Sequence, residues 1–227
     1  MAIKGVIFDM DGVIIDSERL HDIVAHSFFN ERGIQYDRDS IKPLLMGKSS
    51  SEVALIQKEY YNLPDSVEDI VRQKADKLDI LLDEELIYIP WFLEYHTYIT
   101  SLWLKSVVAT WSSARIVAKV HDKLGIKDIF WANIITVDQV WNIGKPNPAL
   151  FFGAAKLIWL DPVECLIIED ATNGIIAAKA AWSKVIGLAT TLWADVLATA
   201  EPDFIVSSFD DVRYVTDKLL TNIDLNR

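Results

Sequence analysis

The stretch that decides the fold lies near the start of the chain, where residues 5–17 read GVIFDMDGVIIDS. It begins as an apolar, β-branched run and reaches Asp9 and Asp11, two aspartates one residue apart, followed by Gly12. In an open parallel sheet, ligands bind outside the carboxyl ends of the strands. A strand with this ending therefore predicts a polar site at the edge of a sheet, although an Asp-Gly pair also forms turns that carry no chemistry.

Further apolar runs follow at wide spacing, and each is typical of a strand buried on both faces of a parallel sheet. After a first run at 3–8 they occupy residues 106–109, 134–137, 166–168, 184–187 and 204–206. Segments with helical periodicity at 113–124, 149–158 and 173–181 lie between them. The alternation of strand and helix predicts an α/β fold whose parallel strands are joined by right-handed crossovers.

The interval between the first two strands is far too long for one crossover. Residues 18–32, 49–61 and 67–79 carry charged and apolar residues at helical spacing. Ser66 is a plausible N-cap for the third of these segments. We therefore predict two domains: an α/β core formed by residues 1–15 and 90–227, and an all-helical domain inserted at residues 16–89.

Composition excludes several classes of function. Of the 227 residues, 51% are hydrophobic and 24% charged, which is typical of a folded chain with a sizeable core. A net charge of −11 argues against a nucleic-acid partner or an anionic membrane surface. A single cysteine excludes an intrachain disulfide, and the four histidines are scattered. The N-terminal apolar run is too short for a signal peptide and no run could span a membrane, so we expect a soluble cytoplasmic protein.

Three more strand ends carry polar residues. Thr110 is followed by Trp111, Ser112 and Ser113, and such a hydroxyl cluster at the start of a helix either binds an anion or simply caps the helix. Lys145 lies in the proline-bounded loop GKPNP at 144–148. The fourth strand ends in Glu169 and Asp170, and adjacent carboxylates repel each other unless a cation binds or one is protonated. Oxygen donors of this kind favour Mg²⁺.

These motifs resemble, in order and spacing, the four motifs of the haloacid dehalogenase-like phosphotransferases. They are DMDGVIIDS at 9–17, Thr110 after a buried strand, GKPNP at 144–148 and IIEDATNG at 167–174. The resemblance covers most of the chain and implies a Rossmann-like parallel sheet core with an inserted α-helical cap domain. That arrangement is similar to the branch that contains phosphatases and β-phosphoglucomutase.

The resemblance also implies roles for the residues at the strand ends. Asp9 would be the nucleophile that forms an aspartyl-phosphate, and Asp11 the general acid/base. Thr110 and the backbone amide of Trp111 would bind phosphoryl oxygens, with Ser112 beside them. Lys145 would neutralise negative charge on Asp9 and on the transferred group.

The same resemblance implies Mg²⁺ as the cofactor. Its ligands would be Asp9, the main-chain carbonyl of Asp11, and Asp170. Glu169 would lie in or next to the coordination shell.

A Mg²⁺-dependent phosphatase of small phosphorylated metabolites, sugar phosphates above all, is the leading hypothesis, and we expect a monomer. The alternative within the family is a β-phosphoglucomutase-type phosphotransferase, since His21 matches a histidine found at the start of the cap in mutases and in some hydrolases. The cap loop around Lys48, Ser49 and Ser50 would contact substrate, but Ser50 stands where mutases place an arginine. A non-catalytic scaffold and a dehalogenase are weaker alternatives, because all the charged motif residues are present.

Tryptophan and glycine depart from the family pattern. The chain has eight tryptophans and only nine glycines, about 4% glycine against a usual share of roughly 7%. Four tryptophans occupy turns where relatives of this kind mostly have glycine: Trp91, Trp103, Trp159 and Trp182. Trp111 follows Thr110, in the loop that is expected to bind phosphoryl oxygens. Either tryptophan has replaced glycine or the protein uses natural aromatic packing, and we favour replacement.

Overall fold

Six parallel strands form one sheet, as the apolar runs predict. The computed structural model describes residues 2–45, 50–141 and 143–221, without the side chain of Pro43. The strands are β1 (Gly5–Phe8), β2 (Lys105–Thr110), β3 (Ile134–Thr136), β4 (Cys165–Glu169), β5 (Lys184–Leu188) and β6 (Phe204–Val206). Their order in the sheet is β3-β2-β1-β4-β5-β6, and all neighbours are parallel. This is the doubly wound arrangement of a Rossmann-like sheet.

The switch point of this sheet lies between β1 and β4, where the strand order reverses. Every residue of β1 and β4 is buried, as expected for central strands covered by helices on both faces. The amide of Asp9 continues the ladder by donating to the carbonyl of Ile168 across 3.0 Å. The carboxyl ends of β1 and β4 therefore meet at the place where open α/β sheets bind ligands.

The helices of the core connect these strands or follow the last one. They are α5 (Phe92–Ser101), α6 (Ala114–Leu124), α7 (Ile126–Phe130), α8 (Ala149–Leu157), α9 (Thr172–Ala180), α10 (Ala194–Ala198) and α11 (Phe209–Thr221). Behind the sheet, Phe8 makes edge-to-face contacts with Phe92 and Phe130 at centroid distances of 5.6 and 5.7 Å. This aromatic cluster anchors β1 and so fixes the position of the aspartates that follow it.

The chain divides into two compact units, Met1–Asp16 with Ile87–Arg227, and Ser17–Leu86. The second unit is helical throughout its described elements: α1 (Ser17–Asn30), α2 (Arg38–Leu45), α3 (Ser50–Tyr61) and α4 (Val67–Glu84). It has its own core, in which the rings of Phe29 and Tyr36 stack at 5.0 Å. Ser66 caps α4 by accepting from the amide of Asp69 at 3.0 Å.

The two chain segments that connect the units are hydrogen-bonded to each other within the first unit. The amide of Asp16 donates to the carbonyl of Ile87, and that of Ile89 donates to Ile14. An insertion whose ends lie side by side leaves the sheet uninterrupted, which explains how β1 and β2 can be neighbours although nearly a hundred residues separate them. None of the helices among the described residues is long and apolar enough to cross a membrane.

Candidate active site

A buried lysine joins two carboxylates at the switch point. The ammonium group of Lys145 donates to Oδ1 of Asp9, after β1, and to Oε1 of Glu169, at the end of β4. It also lies 3.5 Å from the carbonyl of Ala109 in β2. All three charged side chains are less than a tenth exposed. Burying three charges together is tolerable only because they are paired.

The charges of this cluster do not balance. Burial raises the pKa of Asp9 to about 8, and the negative charge of Glu169 adds to that effect, although Lys145 opposes it. Burial also raises the pKa of Asp170 well above its ordinary range, and Glu169 and Asp9 raise it further. Burial alone would lower the pKa of Lys145, but Asp9 and Glu169 together raise it, so this residue stays charged. One lysine faces three buried carboxylates, and the site has an excess of negative charge.

Glu169 positions its neighbours. One of its oxygens accepts from Lys145, while Oε2 accepts from the backbone amides of Asp170 and Ala171 at 3.0 and 3.1 Å. Both oxygens are thus engaged with the chain itself. This geometry gives Glu169 a role in holding Lys145 and the start of α9. Its place in or next to a metal coordination shell stays a prediction.

Asp170 lies against the turn that follows β1. Gly12 has φ +75°, and a Cβ atom there would overlap the Asp170 carboxylate and the hydroxyl of Thr191. Thr191 hydrogen-bonds to Asp170, and the hydroxyl of Thr190 donates to the carbonyl of Gly12. The turn after β1 and the loops after β4 and β5 therefore pack closely enough to need a residue without a side chain at position 12.

The loop after β2 reaches Asp11 through Ser112. The Ser112 hydroxyl donates to Oδ2 of Asp11 at 2.8 Å, and the Ser112 amide donates to Oγ1 of the fully buried Thr110 at 2.9 Å. Asp11 is partly exposed, unlike Asp9. The two aspartates that follow β1 therefore have different surroundings, one a dry ion cluster and one a hydrogen-bonded position open to solvent.

Trp111 lies between the loops that carry Thr110 and Lys145. A Cβ atom on Gly144 would overlap the six-membered ring of the Trp111 indole, so the ring lies directly on that glycine. About half of the tryptophan surface remains exposed. The indole thus covers the residue next to Lys145.

The oxygen donors at this site fit a hard divalent cation. Asp9 and Asp170 are carboxylates whose pKa values are raised first by burial and then by the neighbouring negative charges, and a bound cation would offset both effects by stabilising the ionised carboxylates. Within the described residues, no three or more His, Cys, Asp or Glu side chains are grouped to hold a metal. Mg²⁺ does not need such a cage, because it commonly takes one or two carboxylates and completes its shell with water and substrate phosphate. Asp9, Asp170 and the main-chain carbonyl of Asp11 would make up such a set.

The expected substrate contacts of the inserted unit stay predictions. His21 is exposed in α1, and Ser50 is exposed as the first residue of α3. Lys48 and Ser49 lie outside the described residues. These positions belong to the second unit, whereas the cluster around Lys145 belongs to the first.

Sequence reasoning missed Thr190 and Thr191. They follow β5, the strand next to β4, and both hydroxyls engage the site. The available signal was the position of the pair just beyond an apolar strand, with only Ala189 between them, a signal similar to the one that singled out Thr110.

The family model that matches residues 3–181 is that of the haloacid dehalogenase-like hydrolases. The chain is 32% identical, over 99% of its length, to the chloroplastic protein SUPPRESSOR OF QUENCHING 1 of Arabidopsis thaliana, but it spans only 21% of that protein. It is 30% identical over 92% of its length to the bifunctional riboflavin kinase/FMN phosphatase of the same plant and spans 54% of it. It is 28% identical to hexitol phosphatase B of Escherichia coli K12, covering 79% of this chain and 80% of that one.

Among solved structures, the chain resembles a HAD family hydrolase from Deinococcus radiodurans with bound phosphate and sodium. The TM-score is 0.84 at 21% identity, and the match covers 96% of both chains. At that identity the likeness establishes the fold alone.

Proposed function

Because the chain belongs to the haloacid dehalogenase-like hydrolases, we propose that it is a Mg²⁺-dependent phosphatase of small phosphate monoesters that acts through an aspartyl-phosphate on Asp9. The observation that carries this proposal is the buried bridge from Lys145 to Asp9 and Glu169 at the switch point of the sheet. A fixed cation beside a fixed carboxylate is what an attack on a phosphate dianion requires, since the two anions otherwise repel each other.

Asp9 is the nucleophile. One carboxylate oxygen attacks phosphorus, the new O–P bond forms, and the bond from phosphorus to the ester oxygen breaks. The aromatic cluster behind β1 and the contact with Lys145 hold this carboxylate in place. Holding the attacking group in one orientation removes much of the entropic cost of the reaction.

Asp11 moves the proton. Its carboxyl group protonates the departing ester oxygen; its carboxylate then takes a proton from the water that attacks the aspartyl-phosphate. That second attack breaks the bond between Asp9 and phosphorus and releases inorganic phosphate. The bond from Ser112 fixes the Asp11 side chain, and its partial exposure gives it access to water.

The remaining groups stabilise negative charge on the transferred phosphoryl group. Lys145 supplies a fixed positive charge, and the hydroxyl of Thr110 and the amide of residue 111 would donate hydrogen bonds to phosphoryl oxygens. When bound by Asp9, Asp170 and the carbonyl of Asp11, Mg²⁺ would supply positive charge that keeps Asp9 ionised and offsets the charge of the phosphate. Such a site works chiefly by positioning and electrostatics.

Sugar phosphates are the proposed substrate class. Hexitol phosphatase B and the phosphorylated carbohydrates phosphatase of Thermotoga maritima support this choice; each is 28% identical and each match covers about four fifths of the relative. The active substrate would be a small ester that fits between the strand-end loops of the core.

A panel of phosphate monoesters, assayed with and without Mg²⁺, tests the proposal. It should include hexitol, hexose and pentose phosphates, FMN, and glucose 1-phosphate with a trace of glucose 1,6-bisphosphate. We expect Mg²⁺-dependent release of inorganic phosphate, highest with a sugar or sugar-alcohol phosphate. Formation of glucose 6-phosphate without phosphate release would identify a mutase instead, and Mg²⁺ binding without turnover of any ester would identify a scaffold.

A further inference from the structure

Six of the eight tryptophans have a left-handed backbone. Positive φ values of 52–67° occur at Trp91, Trp103, Trp131, Trp141, Trp159 and Trp182. Among the other non-glycine residues that the structure describes, only Asn62 and Glu201 share this property. Bulky residues adopt it rarely, because Cβ crowds the following carbonyl oxygen. Trp131, with φ 55° and ψ −126°, lies in a region that glycine alone populates readily.

Three of these residues occupy the glycine position of a helix C-terminal motif. After α5, the amide of Trp103 donates to the carbonyl of Thr100 at 3.0 Å, and the next amide, of Leu104, donates to Ile99 at 3.1 Å. This pair of bonds defines a Schellman motif, in which the left-handed residue is usually glycine. The same pair follows α8 at Trp159 and α9 at Trp182.

The chain contains its own reference for that position. After α1, the amide of Gly33 donates to Asn30 and that of Ile34 donates to Phe29, both at 3.0 Å, and Gly33 has φ +67°. The backbone is therefore the same where the residue is glycine and where it is tryptophan.

The indole rings contribute no core packing. Every tryptophan is more than half exposed, from 51% at Trp111 to 92% at Trp103. By contrast, seven of the nine phenylalanines are buried. Tryptophan is highly buried on average, so eight exposed residues do not fit natural aromatic packing.

We propose that all eight of these positions are glycine in the protein that the cell makes. The replacement would raise glycine from nine residues to seventeen, about 7% of the chain and the ordinary share. A single codon would account for every position at once if UGA, which some genetic codes read as tryptophan, is decoded here as glycine. Trp111 and Trp193 are included although their φ is not positive, because five of the eight described glycines also have ordinary φ values.

Position 111 connects this inference with the candidate site, although the inference does not depend on the proposed activity. The Trp111 indole lies on Gly144, the residue before Lys145. Glycine at 111 removes the ring and leaves the amide after Thr110 open to an anion.

Peptide sequencing by tandem mass spectrometry, on the protein purified from the cells that naturally make it, tests the proposal directly. We expect glycine at all eight positions and UGA at all eight codons. Tryptophan at any of them overturns the proposal.

A second test uses the chain with tryptophan, expressed as it stands. We expect Trp182→Gly to raise Tm by a few degrees, and Trp182→Ala, which removes the indole but keeps Cβ, to give no such rise. Trp193→Gly serves as the control, because φ is −65° there and no left-handed strain is relieved. If alanine stabilises as much as glycine, or if Trp182→Gly lowers Tm, position 182 is not a glycine site and the proposal fails.

Discussion

At the scale of single residues, Asp9 and Asp11 are only one residue apart in the sequence but have different surroundings. Asp11 accepts from the Ser112 hydroxyl and is partly exposed, whereas Asp9 is buried against Lys145. We predict that Asp11→Asn lowers kcat by about 10²–10⁴-fold, the usual contribution of proton transfer. The main-chain carbonyl of residue 11 is unchanged by this substitution, so the Mg²⁺ affinity measured by calorimetry should be kept. An equal loss of Mg²⁺ binding and rate would make the side chain a ligand.

Trp111 is a proposed glycine position that adjoins the candidate active site. We predict that Trp111→Gly raises kcat/KM for a sugar phosphate, because the amide beside Thr110 becomes accessible and the ring no longer covers Gly144. Trp193→Gly, on an exposed residue at the start of α10, should leave kcat/KM unchanged. Lower kcat/KM in Trp111→Gly would mean that the indole belongs to the binding site.

At the scale of elements, the turn after β1 depends on its neighbours after β4 and β5. We predict that Gly12→Ala lowers both Tm and Mg²⁺ affinity, because a Cβ there overlaps Asp170 and Thr191. Gly33→Ala is the matched control: its φ is also positive, at +67°, but nothing lies within 4 Å of the added atom. The control should cost about 1 kcal/mol of stability and no activity. Equal Mg²⁺ affinity in both variants would contradict the packing described for Asp170.

The strands could be predicted from the sequence because burial on both faces leaves a continuous apolar run in each of them. All six occur where the runs predict, with bounds that differ by at most two residues. Helices α2, α7, α10 and α11 were not predicted. Helix α2 is short and contains Pro43, and its helicity depends on packing within the inserted unit. The predicted helix at 67–79 continues to Glu84, since no glycine or proline ends the pattern there.

The candidate site was predictable to the extent that its residues follow strands. Asp9, Lys145 and Glu169 come together as that logic requires. The contacts of Glu169 with Lys145 and with two backbone amides could not be predicted from the sequence, because they depend on the direction of this side chain at the end of β4. Thr191 was missed because its role depends on β5 being the neighbour of β4.

At the scale of the whole molecule, the buried carboxylates connect stability with pH. The folded-state pKa of Asp9 is raised from 3.8 to about 8, so without metal the native state binds a proton that the unfolded state releases. The proton bound by Asp9 therefore stabilises the native state at low pH. This stabilisation is lost as the pH rises from 3.8 to about 8. We predict that the Tm of Asp9→Asn minus that of the parent increases from pH 5 to pH 8 in the absence of Mg²⁺, by several degrees.

A surface carboxylate provides the control for that measurement. Hydrogen bonds from Ser40 lower the pKa of Asp37, so its contribution is already constant between pH 5 and pH 8. The Tm difference for Asp37→Asn should therefore not change over this range. A flat difference for Asp9→Asn as well would show that Asp9 is ionised throughout this range, contrary to its raised pKa.

The proposed attack of Asp9 on phosphorus is best tested by the rate of phosphate release in Asp9→Asn. The measurement compares this variant with its parent on the best sugar phosphate of the panel, at saturating Mg²⁺ and with folding verified by circular dichroism. We predict a folded protein whose turnover is abolished, because the substitution removes the attacking oxyanion and nothing that the core needs. Retention of more than a few per cent of the parent's rate would contradict it.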